Sequence, residues 1–229
     1  MKAVLIPIKG PANAKTRLGG LLAAEERRRL AWAMFEDVSH AVADAMKPDR
    51  VVIVTNYGPA AQHAHRLGWD TIIEESQTSE SASVDRASRL LAERGFDVVM
   101  RLPADVPLVR AEDVDALLAI ELAAPAALLV PSRDGTGTNA IIRTPPALFP
   151  SRFGPNSLAL HQEEAARVGV ECVIAPNPRL ALDLDEPADL ECFLAQGEGT
   201  ETFLFLAEIH AAERLRQMRI ADCGLRIGS

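Results

Sequence analysis

The side chains best suited to phosphate chemistry are a group of cations near the N-terminus and acids far downstream. Lys9, Lys15 and Arg17 sit in Pro7-Ile8-Lys9-Gly10-Pro11-Ala12-Asn13-Ala14-Lys15-Thr16-Arg17-Leu18, directly after an apolar run. A basic loop leaving the first strand of an α/β protein is a natural seat for a polyanion such as a nucleoside triphosphate. A solvated charged loop is the plainer alternative. Asp105, in Leu102-Pro103-Ala104-Asp105-Val106-Pro107, stands just beyond an apolar strand. In open α/β sheets ligands lie past the carboxyl ends of strands, so Asp105 reads as a ligand for a hard cation such as magnesium. It could instead cap the next helix, but Asp113 competes for that place. In Leu182-Asp183-Leu184-Asp185, alternation puts both acids on one face of a strand. Paired carboxylates repel unless water or a cation relieves them.

Two small-residue turns complete the set. Gly135-Thr136-Gly137-Thr138-Asn139 precedes a strand, and Phe153-Gly154-Pro155-Asn156-Ser157 precedes a helix capped by Asn156 or Ser157. Helix N-termini with a nearby glycine bind anions readily. Beside paired acids, these turns suggest a small anionic acceptor held near the metal. There is no GxSxG, GxGxxG or Walker A motif, and no Cys/His pair stands out as a nucleophile. His63 and His65 fall in a helix and read as surface residues.

The elements that must position these groups alternate. Strands are expected at Ala3–Ile8, Val51–Thr55, Thr71–Glu74, Val98–Leu102, Ala127–Pro131, Asn139–Arg143 and Cys172–Ala175. Helices are expected at Glu25–Met46, Ser83–Arg94, Ala111–Leu122 and Leu158–Val168. In the first helix Leu30, Met34, Val38, Val42 and Met46 form one buried stripe. Continuous apolar strands separated by helices imply an α/β fold with a mostly parallel sheet and right-handed crossovers. The composition shift at 196–202 marks a C-terminal extension. Its Phe203–Ile220 segment reads as one helix, docked on the 1–195 domain or supporting a homodimer.

Composition narrows the partners. The chain has 229 residues, 48% of them hydrophobic, which is ample for a core without metal or disulfide staples. A net charge of -8 argues against a nucleic-acid binder but not against a nucleotide met locally by a loop and a cation. The three cysteines show no CxxC spacing. With no signal-like or membrane-spanning stretch, a cytoplasmic protein is expected.

Taken in order, Pro7-x-Lys9…Ala14-Lys15-Thr16-Arg17-Leu18, Leu102-Pro103-Ala104-Asp105-Val106-Pro107, Gly137-Thr138-Asn139-Ala140, Phe153-Gly154-x-Asn156-Ser157 and Leu182-Asp183-Leu184-Asp185-x-Pro187 resemble the CofC/FbiD guanylyltransferases of coenzyme F-420 biosynthesis. The resemblance spans roughly residues 1–195. It implies a single-domain Rossmann-like nucleotidyltransferase fold of GT-A type. It also implies GMP transfer from GTP to 2-phospho-L-lactate, phosphoenolpyruvate or 3-phospho-D-glycerate, releasing pyrophosphate. By the same resemblance Asp105, Asp183 and Asp185 hold magnesium, and Thr138, Gly154 and Ser157 contact the acceptor. Lys9, Lys15 and Arg17 are then expected on the triphosphate, with Lys15, Arg17 and Asp105 catalytic. Ser83 and Asp85 are expected on the nucleotide side. Where the family usually shows Gly-Leu-Asn, this chain reads Ser83-Val84-Asp85, which is also similar to the cytidylyltransferases of the isoprenoid pathway. A cytidylyltransferase and a non-catalytic nucleotide-binding regulator are therefore the competing readings.

Overall fold

The computed structural model describes residues 1–76 and 78–226. Its centre is a seven-stranded mixed sheet: β1 (Lys2–Ile8), β2 (Arg50–Thr55), β3 (Asp70–Ile73), β4 (Val98–Arg101), β5 (Ala126–Pro131), β6 (Thr138–Thr144) and β7 (Cys172–Ile174). In space the order is β3-β2-β1-β4-β6-β5-β7. β1 lies between β2 and β4, parallel to both, and β3 continues this block on β2. β6 is antiparallel to both β4 and β5, while β7 runs parallel to β5. The strands thus match the expected set to within a residue or two at their ends.

Helices cover both faces because the central strands are apolar on both. Val4, Ile6, Met100 and Leu102 pack under α1 (Ala24–Ala43), α2 (Gly58–Arg66) and α4 (Ala111–Ala119). Ala3, Leu5, Val52, Val54 and Val99 pack under α3 (Glu80–Glu93) through Val84, Ala87 and Leu91. Burying one such side chain stabilises the fold by roughly 1.5–3 kcal/mol. α5 (Ser157–Arg167) covers the far end of the sheet, and α6 (Pro187–Leu194) follows the second acidic segment.

Four local expectations need correction. The apolar stripe of α1 holds at Leu30, Met34, Val38 and Val42, but Met46 is exposed beyond the helix end. His63 is buried, with Trp32 and Phe35 at ring-centroid distances of 5.6 and 5.0 Å, because α2 turns that face onto α1. Asp183 and Asp185 keep the alternation, with Leu182 and Leu184 buried between and before them, but their segment belongs to no strand of the sheet. The C-terminal segment is two helices, α7 (Glu201–Glu208) and α8 (Ala211–Arg226), separated at His210, whose φ of 54° breaks the helical path.

This tail packs on the same domain. Phe205, Leu206, Ile209 and Leu215 join Leu18, Leu30, Met34 and Phe193 in one apolar cluster. Asp37 of α1 accepts hydrogen bonds from the backbone N–H groups of Glu201 (2.7 Å) and Thr202 (2.9 Å) at the start of α7. A carboxylate at that helix end satisfies donors the helix itself leaves free. Cys172 and Cys192 are free thiols; residues 227–229 and the side chain of Cys223 lie outside those described.

Candidate active site

The loop after β1 folds into two short 3-10 turns, Pro11–Asn13 and Thr16–Leu18, with Lys15 between them in the left-handed region at φ 51°. Leu18 is fully buried and anchors the loop's far end. Held this way, Lys15 turns inward. Its ammonium donates to Asp105 Oδ2 and Asp185 Oδ1, each at 2.6 Å. Burial opposes the charge on Lys15, but the two carboxylates outweigh it and hold its pKa above the ordinary lysine range. Burial likewise opposes the charge on Asp105, and Lys15 outweighs it, drawing that carboxyl below its usual range.

The two acidic segments meet through their backbones as well: Leu184 N donates to Asp105 O at 3.2 Å. Asn139 at the start of β6 donates through Nδ2 to Leu180 O (2.8 Å) and Asp183 Oδ1 (3.1 Å), fixing where the second acidic segment crosses the strand ends. Asp183 has a raised pKa, first from burial and then from the Asp105 charge; the Asn139 bond only partly offsets them. Asp113 is taken up elsewhere, accepting from Arg110 N at the start of α4 and pairing with Arg179. Asp105 is therefore not needed as the helix cap.

Two cavities meet at this point. The smaller, about 310 Å³, is lined by Lys9, Gly10, Lys15, Trp32 and Tyr57 among others. The larger, about 570 Å³, runs from Arg17, Asp183 and Asp185 to Thr138, Gly154 and Ser157. Glu80, Arg101, Pro103 and Asp105 line both. Arg17 stands at the open rim, paired with Glu186 at 3.0 Å and largely exposed.

The far wall of the larger cavity is held by neutral groups. Thr138 N donates to Ser157 Oγ at 2.8 Å, and Thr138 Oγ1 lies 3.0 Å from His161 Nδ1. Arg152 N donates to His161 Nε2 at 2.8 Å, so the ring is neutral with its proton on Nδ1, donated to Thr138. Burial first, then Arg143 and Arg101, push His161 down to about 4, in keeping with that state. Gly154, at φ 129°, makes the turn into α5 in a conformation that favours glycine. Gly137 lets its chain close on Ser132, whose Oγ would lie 2.8 Å from an added Cβ.

Ser83 and Asp85 are elsewhere. Ser83 Oγ donates to Glu74 Oε2 at 2.6 Å inside the fold. Asp85 accepts from Ser151 N and Oγ and pairs with Arg143 at 3.3 Å. Neither lines the two cavities. Both tie α3 to neighbouring segments, Ser83 to Glu74 and Asp85 to Ser151 and Arg143, and α3 instead reaches the site one turn earlier, through Glu80. Sequence reasoning gives no role to Arg101 or Glu80, and it takes Asn139 only as part of a small-residue turn. The rule that singled out Asp105 applies to Arg101 too, a charged residue closing the apolar strand Val98–Arg101.

Three aspartates with only oxygen donors form a set for a hard ion. Among the described residues, no three such side chains close into a ready metal cage. Lys15 Nζ is the cation that Asp105 and Asp185 hold here.

A sequence model of the family described as "Guanylyl transferase CofC like" matches residues 1–219. A phosphoenolpyruvate guanylyltransferase of Rubrobacter xylanophilus is 34% identical over 84% of this chain and 93% of its own length. A 2-phospho-L-lactate guanylyltransferase of Methanothermobacter thermautotrophicus is 33% identical over 94% and 90%. A 3-phospho-D-glycerate guanylyltransferase of Colwellia psychrerythraea is 32% identical over 82% and 89%. Among solved structures, one described as a nucleotide-diphospho-sugar transferase from Desulfovibrio desulfuricans shares the fold. Its TM-score is 0.76 at 19% identity, covering 94% of this chain and 97% of that one. A cytidylyltransferase from Leptospira borgpetersenii has the same topology at TM-score 0.54 and 16% identity, covering 94% and 95%. The fold is that of a Rossmann-like nucleotidyltransferase, and with the family model spanning nearly all of its length, this chain belongs to the CofC-like guanylyl transferases.

Proposed function

We propose that this protein transfers GMP from GTP to a three-carbon phosphoacid, 2-phospho-L-lactate, phosphoenolpyruvate or 3-phospho-D-glycerate, releasing pyrophosphate in coenzyme F-420 biosynthesis. The observation that carries this reading is the meeting, at Asp105, of a smaller cavity lined by Lys9 and Lys15 and a larger, mostly charged cavity whose far wall carries the Thr138 and Ser157 hydroxyls. The smaller cavity, with Lys9 and Lys15, takes the triphosphate. The larger takes the acceptor, its carboxylate against the N-terminus of α5 at Gly154 and Ser157, where backbone N–H groups and the helix dipole favour an anion. Thr138 supports that wall through Ser157.

The acceptor phosphate is largely ionised near neutral pH, so its oxygen attacks the α-phosphorus without a general base. The neutral His161 is thus a positioning group for Thr138 rather than a proton carrier. Attack in line with the leaving pyrophosphate makes catalysis a matter of placement and charge neutralisation. Lys15, with Lys9 on the loop, meets the growing charge on the pyrophosphate, while Arg17, at the rim of the larger cavity, adds a peripheral charge.

Magnesium fits the oxygen donors of Asp105, Asp183 and Asp185, since this ion is usually held by one or two carboxylates together with substrate phosphates. Asp183 is raised first by burial and then by the charge of Asp105, and a cation bound beside it would offset both. When bound there, the ion would polarise phosphate oxygens as a Lewis acid. Lys15 must then share Asp105 and Asp185 with it.

The test is mass spectrometry of products formed from an equimolar mixture of the three acids with GTP, and in parallel with CTP. A guanosine diphosphate ester of one acid is expected. A cytidine product would point to the cytidylyltransferase reading. Nucleotide binding without pyrophosphate release would make the protein a nucleotide-binding regulator.

A further inference from the structure

The larger cavity is a hostile place for an anionic acceptor: seven carboxylate side chains line it against three arginines, Arg17, Arg101 and Arg133. Arg17 is 68% exposed and paired with Glu186; Arg133 is 49% exposed and paired with Asp189. Arg101 alone is buried, at 7%, and it alone of the three also lines the smaller cavity. It therefore stands where the reacting groups of the two substrates must meet.

Its guanidinium is held but only half used. Nη1 donates to Asn139 O at 2.9 Å, and the ring of Phe153 lies 4.2 Å from Cζ. Nη2 donates to Glu80, a carboxylate that lines both cavities and is 38% exposed. Nε is buried with no hydrogen-bond partner. Nε–H and Nη2–H form the side-on fork of an arginine, the edge that takes a phosphate or carboxylate through two parallel bonds. In this structure that fork carries one bond, to a displaceable acid, and leaves the other donor idle. An idle buried donor has a cost that a correctly placed anion removes.

We infer that Arg101 is a binding residue for the acceptor's phosphate, with Glu80 as its placeholder. This rests on the proposed guanylyl transfer and adds the group that recognises the phosphomonoester dianion at the point of attack. The acceptor phosphate takes the place of Glu80 on Nη2 and engages Nε–H, while Asn139 O and Phe153 keep the guanidinium in plane. Thr138, Gly154 and Ser157 hold the other end of the molecule.

The experiment is steady-state kinetics with purified protein, GTP and the acid that the product analysis selects, comparing wild type with Arg101→Lys, Arg101→Gln and Glu80→Gln. Both Arg101 variants should raise the acceptor KM by about 10–100-fold, the worth of a charged hydrogen-bonded contact. The KM for GTP should stay within about twofold, and methylguanidine should restore part of the Arg101→Gln rate. Glu80→Gln should lower the acceptor KM by about threefold, because the fork no longer has a charged competitor. If both Arg101 variants keep the wild-type acceptor KM, or raise both KM values alike, Arg101 is structural and the inference fails. If they do not fold, Glu80→Gln decides: a lower acceptor KM supports the assignment, and an unchanged or higher one overturns it. Absence of transfer in the wild type itself would instead remove the proposed function.

Discussion

The two walls of the site are built on different physics. The loop-and-acid wall is joined by charge across long stretches of chain: Lys15 meets Asp105 and Asp185, 90 and 170 residues away. The opposite wall is joined by neutral hydrogen bonds over short stretches, Thr138 to Ser157 and His161 at separations of 19 and 23. Charges gathered around a buried ammonium act on a developing phosphate charge but tell one three-carbon acid from another poorly. Neutral donors at fixed positions do the reverse, since a misplaced or missing partner leaves a polar group unpaired. On the proposed transfer, the charged wall would govern rate and the neutral wall the choice of acceptor.

The largest effect that can break this assignment comes from Asp105→Asn. Turnover should fall on the order of 10²–10³-fold, as for loss of one preorganised electrostatic group. Pyrophosphate release from GTP plus phosphoacid measures it. Retained turnover would take Asp105 out of the chemistry.

Acid sensitivity should belong to the neutral wall. His161 is held to about 4 in the fold, against 6.5 for an unperturbed histidine. Between those values the unfolded chain binds the proton more readily, so this contribution is intact above about pH 6.5 and is lost as pH falls toward 4. The loss is on the order of 3 kcal/mol at full protonation. His161→Gln keeps an acceptor for Arg152 N and cannot gain a charge. Its Tm should therefore fall less than the wild type's between pH 7 and pH 5; equal falls would place the sensitivity elsewhere.

Ser157→Ala removes the acceptor of Thr138 N and loosens the neutral wall. The acceptor KM should rise about tenfold with turnover nearly unchanged, and the ranking of the three acids should shift. A change in turnover without a change in ranking would blur the division between the walls. The smallest effect is expected at Arg17. Its pair with Glu186 is exposed at the rim, so Arg17→Ala should cost only a few-fold in pyrophosphate formation and nothing measurable in Tm.

Much of the charged wall was readable because its residues interrupt apolar runs. Lys15 in the loop after β1, Asp105 after β4 and two acids alternating with buried leucines conflict with the burial around them, and such conflicts point to function; Arg17, exposed at the rim, stands out by charge alone. The neutral wall was readable only as small-residue turns. Its locking histidine sits mid-helix in α5, with nothing in its spacing to distinguish it. Ser83 and Asp85 lie outside the two cavities for a related reason. A hydroxyl and a carboxylate near a helix start satisfy buried partners as readily as a ligand, and here Glu74, Ser151 and Arg143 take them.

The sequence by itself determined the seven strands, the helices between them and which charged residues stand past the strand ends, because periodicity and polarity are local properties. It could not decide how the tail lies. Phe203–Ile220 carries apolar residues suited to one helix, and only the fit of Phe205 and Leu206 on α1, with Leu215 on the far side of the turn at His210, divides it in two. Nor could it decide that Lys15 bridges Asp105 and Asp185, or that Arg101 faces Glu80 across the junction of the two cavities. Those are distances between segments remote in sequence, and only the crossing of strand ends in the folded sheet brings them within reach.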